Sequence, residues 1–185
     1  MQEIEIKFKV DNLDKIMEIF TINNIKLSEK LSQKDTIFVP DINDVANGEG
    51  KIFTRVRLEN DRVQLTLKKQ SSRVMQSKEI EFEVSSFDSA YDFLETLGLK
   101  EWVTVEKTRI TAKYKGYNIC MDRVKRLGDF VEIEIVTKEE NNTDFLEQQI
   151  LSIAKELKID TNRRINSYYD TMIDELNKSE VIGIM

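Results

Sequence analysis

The 185-residue chain carries 28 Lys and Arg against 34 Asp and Glu, a net charge of −6 that disfavours loose attraction to nucleic acid or to anionic membranes. It contains no histidine, which removes Ser-His and Cys-His nucleophile pairs, His-bound zinc and imidazole bases, and leaves chemistry to carboxylates, Lys, Arg, Tyr, the backbone or a hard metal ion. The single Cys120 excludes an internal disulfide, and no run of about 18 apolar residues predicts a membrane span, so a reducing, cytoplasmic home is expected.

The opening stretch MQEIEIKFKV alternates, which predicts a strand with Glu3, Glu5 and Lys7 on one face and Ile4, Ile6 and Phe8 on the other. It starts at the first residues, without the basic-then-apolar build of a signal peptide. A helix begins near Asp11-Asn12, either of which can cap it, with Leu13, Ile16, Met17 and Phe20 as its apolar stripe. Extended segments follow at 33–39, 51–59, 62–69 and 75–84; Gly48 and Gly50 break the first gap, and Glu59-Asn60-Asp61 reads as a hairpin turn. A helix over 87–97 turns Phe87, Ala90, Tyr91, Leu94 and Leu97 inward and stops at Gly98. Strands return at 102–114, 117–124 and 129–137, the last two joined by a turn containing Gly128. The chain closes on helices at 143–157, carrying Phe145, Leu146, Ile150, Leu151 and Ala154, and at 164–176, carrying Ile165, Tyr168, Tyr169 and Met172. With only six Gly and one Pro there is no linker, so residues 1–185 are expected to form a single α+β domain of about eight strands and four helices.

The strands share one peculiarity. Charges recur as like-sign pairs two residues apart: Glu3 and Glu5, Arg55 and Arg57, Glu79 with Glu81 and Glu83, Lys107 and Arg109, Glu132 and Glu134. For any one strand a solvated outer face is the ordinary explanation. Across the set two features oppose it. Like charges about 7 Å apart on a strand repel unless a counter-charge intervenes, and the helices need an apolar surface, which the opposite strand faces supply. An antiparallel eight-stranded barrel with helices packed outside and charges inside meets both demands, and its interior admits one small ligand. Arg and Lys pairs grip successive phosphates, while paired carboxylates hold Mg²⁺ or Mn²⁺. Such a site works by positioning and charge stabilisation, without histidine.

The order of motifs along nearly the whole chain resembles the CYTH family, the triphosphate tunnel metalloenzymes. Glu3-x-Glu5-x-Lys7 is similar to its N-terminal ExExK motif; QKDTIF (33–38), TRVRLE (54–59), LTLKK (65–69), KEIEFEV (78–84) and VEKTR (105–109) are similar to its successive strands. CMDRVKRLGDFVEIE (120–134) and INSYYD (165–170) resemble its C-terminal blocks. The resemblance implies a triphosphate tunnel and one or two divalent cations, Mg²⁺ or Mn²⁺. It implies triphosphate ligands at Lys7, Arg55, Arg57, Lys68, Lys107 and Arg109, with Lys7, Arg57, Lys107 and Arg109 closest to the chemistry. It implies metal-side acids at Glu3, Glu5, Glu132 and Glu134, with Asp122 nearby; Glu5 and Glu134 are expected to touch the ion. Glu79 and Glu81 match a middle acidic pair that serves either as metal ligands or as partners orienting the arginines. Tyr168 is expected to serve helix packing, and Cys120 to be a wall residue, not a nucleophile.

The substrate class is thereby a small-molecule triphosphate, with no nucleic-acid polymer and no membrane as partner, and a homodimer is implied only by the resemblance. The LGDFVEIE and INSYYD blocks resemble the class IV adenylyl cyclase branch, which turns ATP into cyclic AMP and pyrophosphate. An inorganic triphosphatase or thiamine triphosphatase using the same clamp is the alternative, followed by a non-catalytic polyphosphate- or nucleotide-binding module.

Overall fold

The alternation of the first ten residues is realised as strand β1 (Gln2–Val10), and its apolar side is what organises the region around it. The computed structural model describes residues 2–43, 45, 51–70, 77–137 and 143–183, the side chains of Gln2, Glu3, Gln70, Ser77, Lys78 and Thr137 excepted. The glycines expected to break the chain at 48 and 50 lie outside the described residues. The remaining elements are α1 (Leu13–Ile22), β2 (Leu31–Val39), β3 (Ile52–Glu59), β4 (Arg62–Gln70), β5 (Ser77–Val84), α2 (Phe87–Thr96), β6 (Lys100–Tyr114), β7 (Tyr117–Val124), β8 (Gly128–Thr137), α3 (Thr143–Glu156), β9 (Arg164–Ile165) and α4 (Tyr169–Gly183). The chain is α+β, with antiparallel ladders and four helices, as expected. It divides into two compact units, Met1–Leu31 with Thr108–Asn166, and Ser32–Lys107 with Ser167–Met185.

In the first unit the strand order is β6-β7-β8-β1-β9. Cross-strand partners Ile4↔Ile135, Ile6↔Ile133 and Phe8↔Val131 place one apolar face under α1 and α3. Leu13, Ile16 and Phe20 of α1, with Ile150, Ile153 and Ala154 of α3, close the core over it. Full burial of side chains such as Phe8 and Ile133 stabilises by about 1.5–3 kcal/mol each. Of the two expected caps for α1, Asn12 serves: its Oδ1 accepts from Asp14 N at 2.7 Å, while Asp11 takes Arg163 Nη1 at 2.6 Å. Asp129, at the start of β8, adds an acceptor for Leu13 N at 3.1 Å.

In the second unit the order is β5-β4-β3-β2-β6, and Phe38, Val56, Val63 and Leu65 pack under Ala90 and Leu94 of α2. The β3–β4 hairpin turns on Asn60 and Asp61 as expected; Asn60 sits at φ +50°, a left-handed conformation that Asn tolerates, and its Oδ1 accepts from Ser32 N. Gly98 at φ +86° ends α2, with Leu99 N reaching back to Leu94 O.

Three expectations are corrected. Leu97, expected inward, is 62% exposed, because it falls on the capping turn beyond the buried stripe. Phe145, expected on the apolar face of α3, is likewise exposed. The last helix starts at Tyr169 and runs to Gly183; its expected first turn is instead β9, where Arg164 and Ile165 pair with Phe8 and Lys7 at the edge of β1. An open strand edge offered backbone partners that outweighed local helix preference.

Candidate active site

The polar faces of the strands carry charge; in the first unit Lys7, Asp122 and Glu132 are buried, and in the second Asp35 and Lys107 are buried while Lys68, Glu79 and Glu81 are partly open to solvent. In the first unit Lys7 on β1 is 2% exposed, and its Nζ lies 3.3 Å from Glu132 Oε1 on β8, its register partner. Arg109 on β6 donates from Nε and Nη2 to the two oxygens of Asp122 on β7, at 2.7 and 2.5 Å, and again from Nη2 to Glu132 Oε2 at 2.5 Å. Burial alone would lower the Arg109 pKa, but the Asp122 hydrogen bonds and the Glu132 charge hold it well above the ordinary value. This guanidinium is therefore a fixed cation.

The carboxylates beside it are placed differently. Glu5 and Glu134 face each other directly across the β1–β8 ladder, an arrangement that is unfavourable without an intervening positive charge. Ligand atoms of Cys120, Glu132 and Glu134 lie within 4.8 Å of one another. Burial pushes the Cys120 thiol far up, so it is an S–H donor, and it donates to Glu134 Oε1 at 3.3 Å. The carboxylate oxygens of Glu132 and Glu134 are donors of the type that suits a hard divalent cation, whereas a protonated thiol does not ligate one. The side chain of Glu3 lies outside the described residues. Both oxygens of Asp122 accept from Arg109, which makes it the partner that orients this arginine.

The second unit holds the basic array. Arg57 makes a bidentate pair with Asp35, Nε to Oδ1 at 2.6 Å and Nη2 to Oδ2 at 2.7 Å. Burial would raise the Asp35 carboxyl, but the hydrogen bonds and charge of Arg57, with Arg55 and Lys107 nearby, hold it below the ordinary carboxylate value. Arg55 Nη2 donates to Thr66 Oγ1 at 3.1 Å and to Glu81 Oε2 at 3.3 Å; burial and the charge of Arg57 lower its pKa. Among the described residues, the buried Nε of Arg55 has no hydrogen-bond partner. Lys68 pairs with Glu79 at 3.0 Å. Glu79 and Glu81, whose role the sequence left open, lie beside Lys68 at 3.0 Å and Arg55 at 3.3 Å.

Two aromatic rings complete this unit. Lys68 Nζ stands 4.9 Å from the centroid of Tyr168, and Lys107 Nζ 4.9 Å from that of Tyr169. Tyr168, expected to serve helix packing, thus carries a lysine of the array. Sequence reasoning also passed over Asp35 and Thr66. Asp35 lies inside the quoted QKDTIF stretch, and a lone Asp in an apolar strand two residues from Gln33 was the available signal. Thr66 lies inside the quoted LTLKK stretch on the same strand face as Lys68, and its role follows from its pairing between Arg55 and Glu81.

A model of the CYTH domain matches residues 1–169. The chain belongs to the CYTH family. Among its CYTH relatives, a candidate adenylate cyclase of Methanocaldococcus jannaschii is 27% identical over 177 residues, covering 91% of this chain and 97% of that one. Adenylate cyclase CyaB of Aeromonas hydrophila is 22% identical over 183 residues, covering 97% and 94%. A conserved protein of unassigned function from Pyrococcus furiosus has the same fold, with a TM-score of 0.78 at 26% identity over 91% of this chain and 98% of that one. A Hippeastrum protein, first classed as an adenylyl cyclase and found to have a dominant triphosphatase activity, matches in fold with a TM-score of 0.62 at 16% identity, over 96% of each chain. Among the described residues no helix is long and apolar enough to cross a membrane.

Proposed function

We propose that this CYTH protein is a divalent-metal-dependent enzyme acting on a small-molecule triphosphate, and that the reaction is that of a class IV-type adenylyl cyclase. The observation that carries this reading is the basic array of the second unit. Arg55, Arg57, Lys68 and Lys107 gather there, and a buried guanidinium N–H of Arg55 has no partner among the described residues. An N–H kept dry and unsatisfied is costly unless an anion arrives to accept from it. In the proposed roles these four residues hold the phosphoryl oxygens, the arginines as forks and the lysines as point charges. Asp35, Glu79 and Glu81 keep the cations oriented while the site is empty. In the first unit, Lys7 and Arg109 are further phosphate cations, and Glu134 with Glu5 would hold the ion, Glu132 beside them being already engaged by Lys7 and Arg109. A bound Mg²⁺ or Mn²⁺ neutralises phosphate charge.

In the cyclase reaction the 3′-oxygen of ATP bonds to the α-phosphorus, the bond from that phosphorus to the bridging oxygen breaks, and pyrophosphate departs as the hydroxyl proton is released. The fixed cations stabilise the charge that grows on the leaving group. The relatives named as adenylate cyclases support this reaction. Triphosphate hydrolysis by the same clamp is the second reading, supported by the activity of the Hippeastrum protein. Separate incubations with ATP, inorganic triphosphate and thiamine triphosphate, each with Mg²⁺ or Mn²⁺, decide between them by chromatography. Cyclic AMP with pyrophosphate identifies a cyclase and orthophosphate a triphosphatase; absence of product from all three overturns the enzymatic reading.

A further inference from the structure

Strand β5 supplies one carboxylate for each of two cations on the strands beside it. Register sets Glu79 opposite Lys68, and Glu81 opposite Thr66, which in turn lies opposite Arg55. Glu79 Oε1 is 3.0 Å from Lys68 Nζ. Glu81 Oε2 accepts from two donors at once, Arg55 Nη2 at 3.3 Å and Thr66 Oγ1 at 2.9 Å. One oxygen held by a guanidinium and a hydroxyl together has the surroundings that suit a phosphoryl oxygen. The β5 carboxylates therefore occupy acceptor positions that an incoming oxyanion needs.

Burial separates these two acids from Asp35. Asp35 is 5% exposed and gives both of its oxygens to Arg57, so that pair is closed to exchange. The side chains of Glu79 and Glu81 are 37% and 40% exposed. Each can leave its cation and be rehydrated without stranding a buried charge, and an ion pair that meets solvent contributes little to the fold. Thr66 is buried and also accepts from Arg55, so the guanidinium keeps one protein acceptor when Glu81 departs. Burial and the charge of Arg57 lower the Arg55 pKa, and the charges of Asp35, Glu79 and Glu81 oppose that, as a bound anion would.

We propose that Glu79 and Glu81 are internal competitors of the triphosphate: they hold Lys68 and Arg55 in the empty site and are displaced when phosphoryl oxygens take their places, whereas Asp35 stays on Arg57. The inference rests on the triphosphate reading above and adds which ion pairs break on binding. Removing either charge then tightens binding. A metal ligand, or an acid that stays in place beneath a bound arginine, would show the opposite or no effect.

Titration calorimetry with inorganic triphosphate, without divalent ion, measures Kd for the wild type, Glu79→Gln, Glu81→Gln, the double variant and Glu83→Gln. Glu83 is an exposed acid two residues further along β5, opposite Gln64, and controls for the loss of one negative charge. Glu79→Gln and Glu81→Gln each lower Kd about two- to five-fold, and the double variant about ten-fold. Glu83→Gln, whose charge is screened by solvent, leaves Kd unchanged. An unchanged or raised Kd in the double variant overturns the inference, and so does a fall in Glu83→Gln equal to that in Glu81→Gln; the triphosphate reading survives either result. Binding detected only after Mg²⁺ is added also overturns the inference alone, because exchange on these cations needs no ion. No binding by the wild type with or without Mg²⁺ removes the triphosphate reading and this inference with it. Should circular dichroism show the double variant unfolded, the folded single variant is judged by the same criterion, since each acid competes for its own cation.

Discussion

The Asp35–Arg57 pair offers a quantitative test of how the basic array is held. Replacing Asp35 with Asn keeps the shape, removes the charge, and sets an amide N–H₂ against one of the two guanidinium donors now 2.6 and 2.7 Å from carboxylate oxygens. Removing one partner of a buried ion pair costs about 3–5 kcal/mol. The side chains are not wholly dry, at 12% and 8% exposure, so the lower end, about 3 kcal/mol, applies. For a chain of this length that corresponds to a fall in Tm of roughly 6–12 °C, read by scanning calorimetry at pH 7. The pH dependence supplies an internal control. The Asp35 carboxyl is held below its ordinary value in the folded state, so its contribution is complete above the unfolded carboxyl pKa, about 4. It is lost as pH falls through the still lower folded pKa. The gap between wild type and Asp35→Asn should therefore stay constant from pH 7 to about 4.5 and narrow below about 4. A variant melting within about 2 °C of wild type at pH 7, outside the fall expected from the buried pair, would refute the view that Asp35 neutralises the array.

Glu134→Gln should lower metal-dependent turnover by about 10²–10³; full activity in kinetic assays would remove Glu134 from the metal role. Tyr169→Leu should weaken inorganic triphosphate binding by about two- to ten-fold through loss of the ring beside Lys107, and Tyr169→Phe should restore it; equal Kd values for the two variants would show that the ring does not position the lysine. Chelation with EDTA should abolish turnover, with activity returning on addition of Mg²⁺ or Mn²⁺; activity that survives exhaustive chelation would exclude a required ion. The homodimer rests on family resemblance alone and predicts twice the chain mass in light scattering, so a single-chain mass would dispose of it.

Period-two alternation was enough to place every long strand to within a few residues, because an apolar side chain at every second position leaves one face to bury and only one register that buries it. The order of charged motifs along that pattern was likewise enough to identify the family. Local signals failed where distant chain intervened. Residues 164 and 165 carry a helical pattern, yet they form a strand because the edge of β1 presents backbone groups to them. Which acid serves which cation was also invisible in one dimension. Glu132 and Glu134 look alike in sequence, but register sets Glu132 against Lys7 and Glu134 against Glu5, so the two stand opposite side chains of opposite sign. Asp35, Thr66 and the two tyrosines joined the array for the same reason. Side-chain spacing is written along a strand, whereas its partners are chosen across the ladder and by the helix that packs over it, where Coulomb energy falls with distance in space and not along the chain.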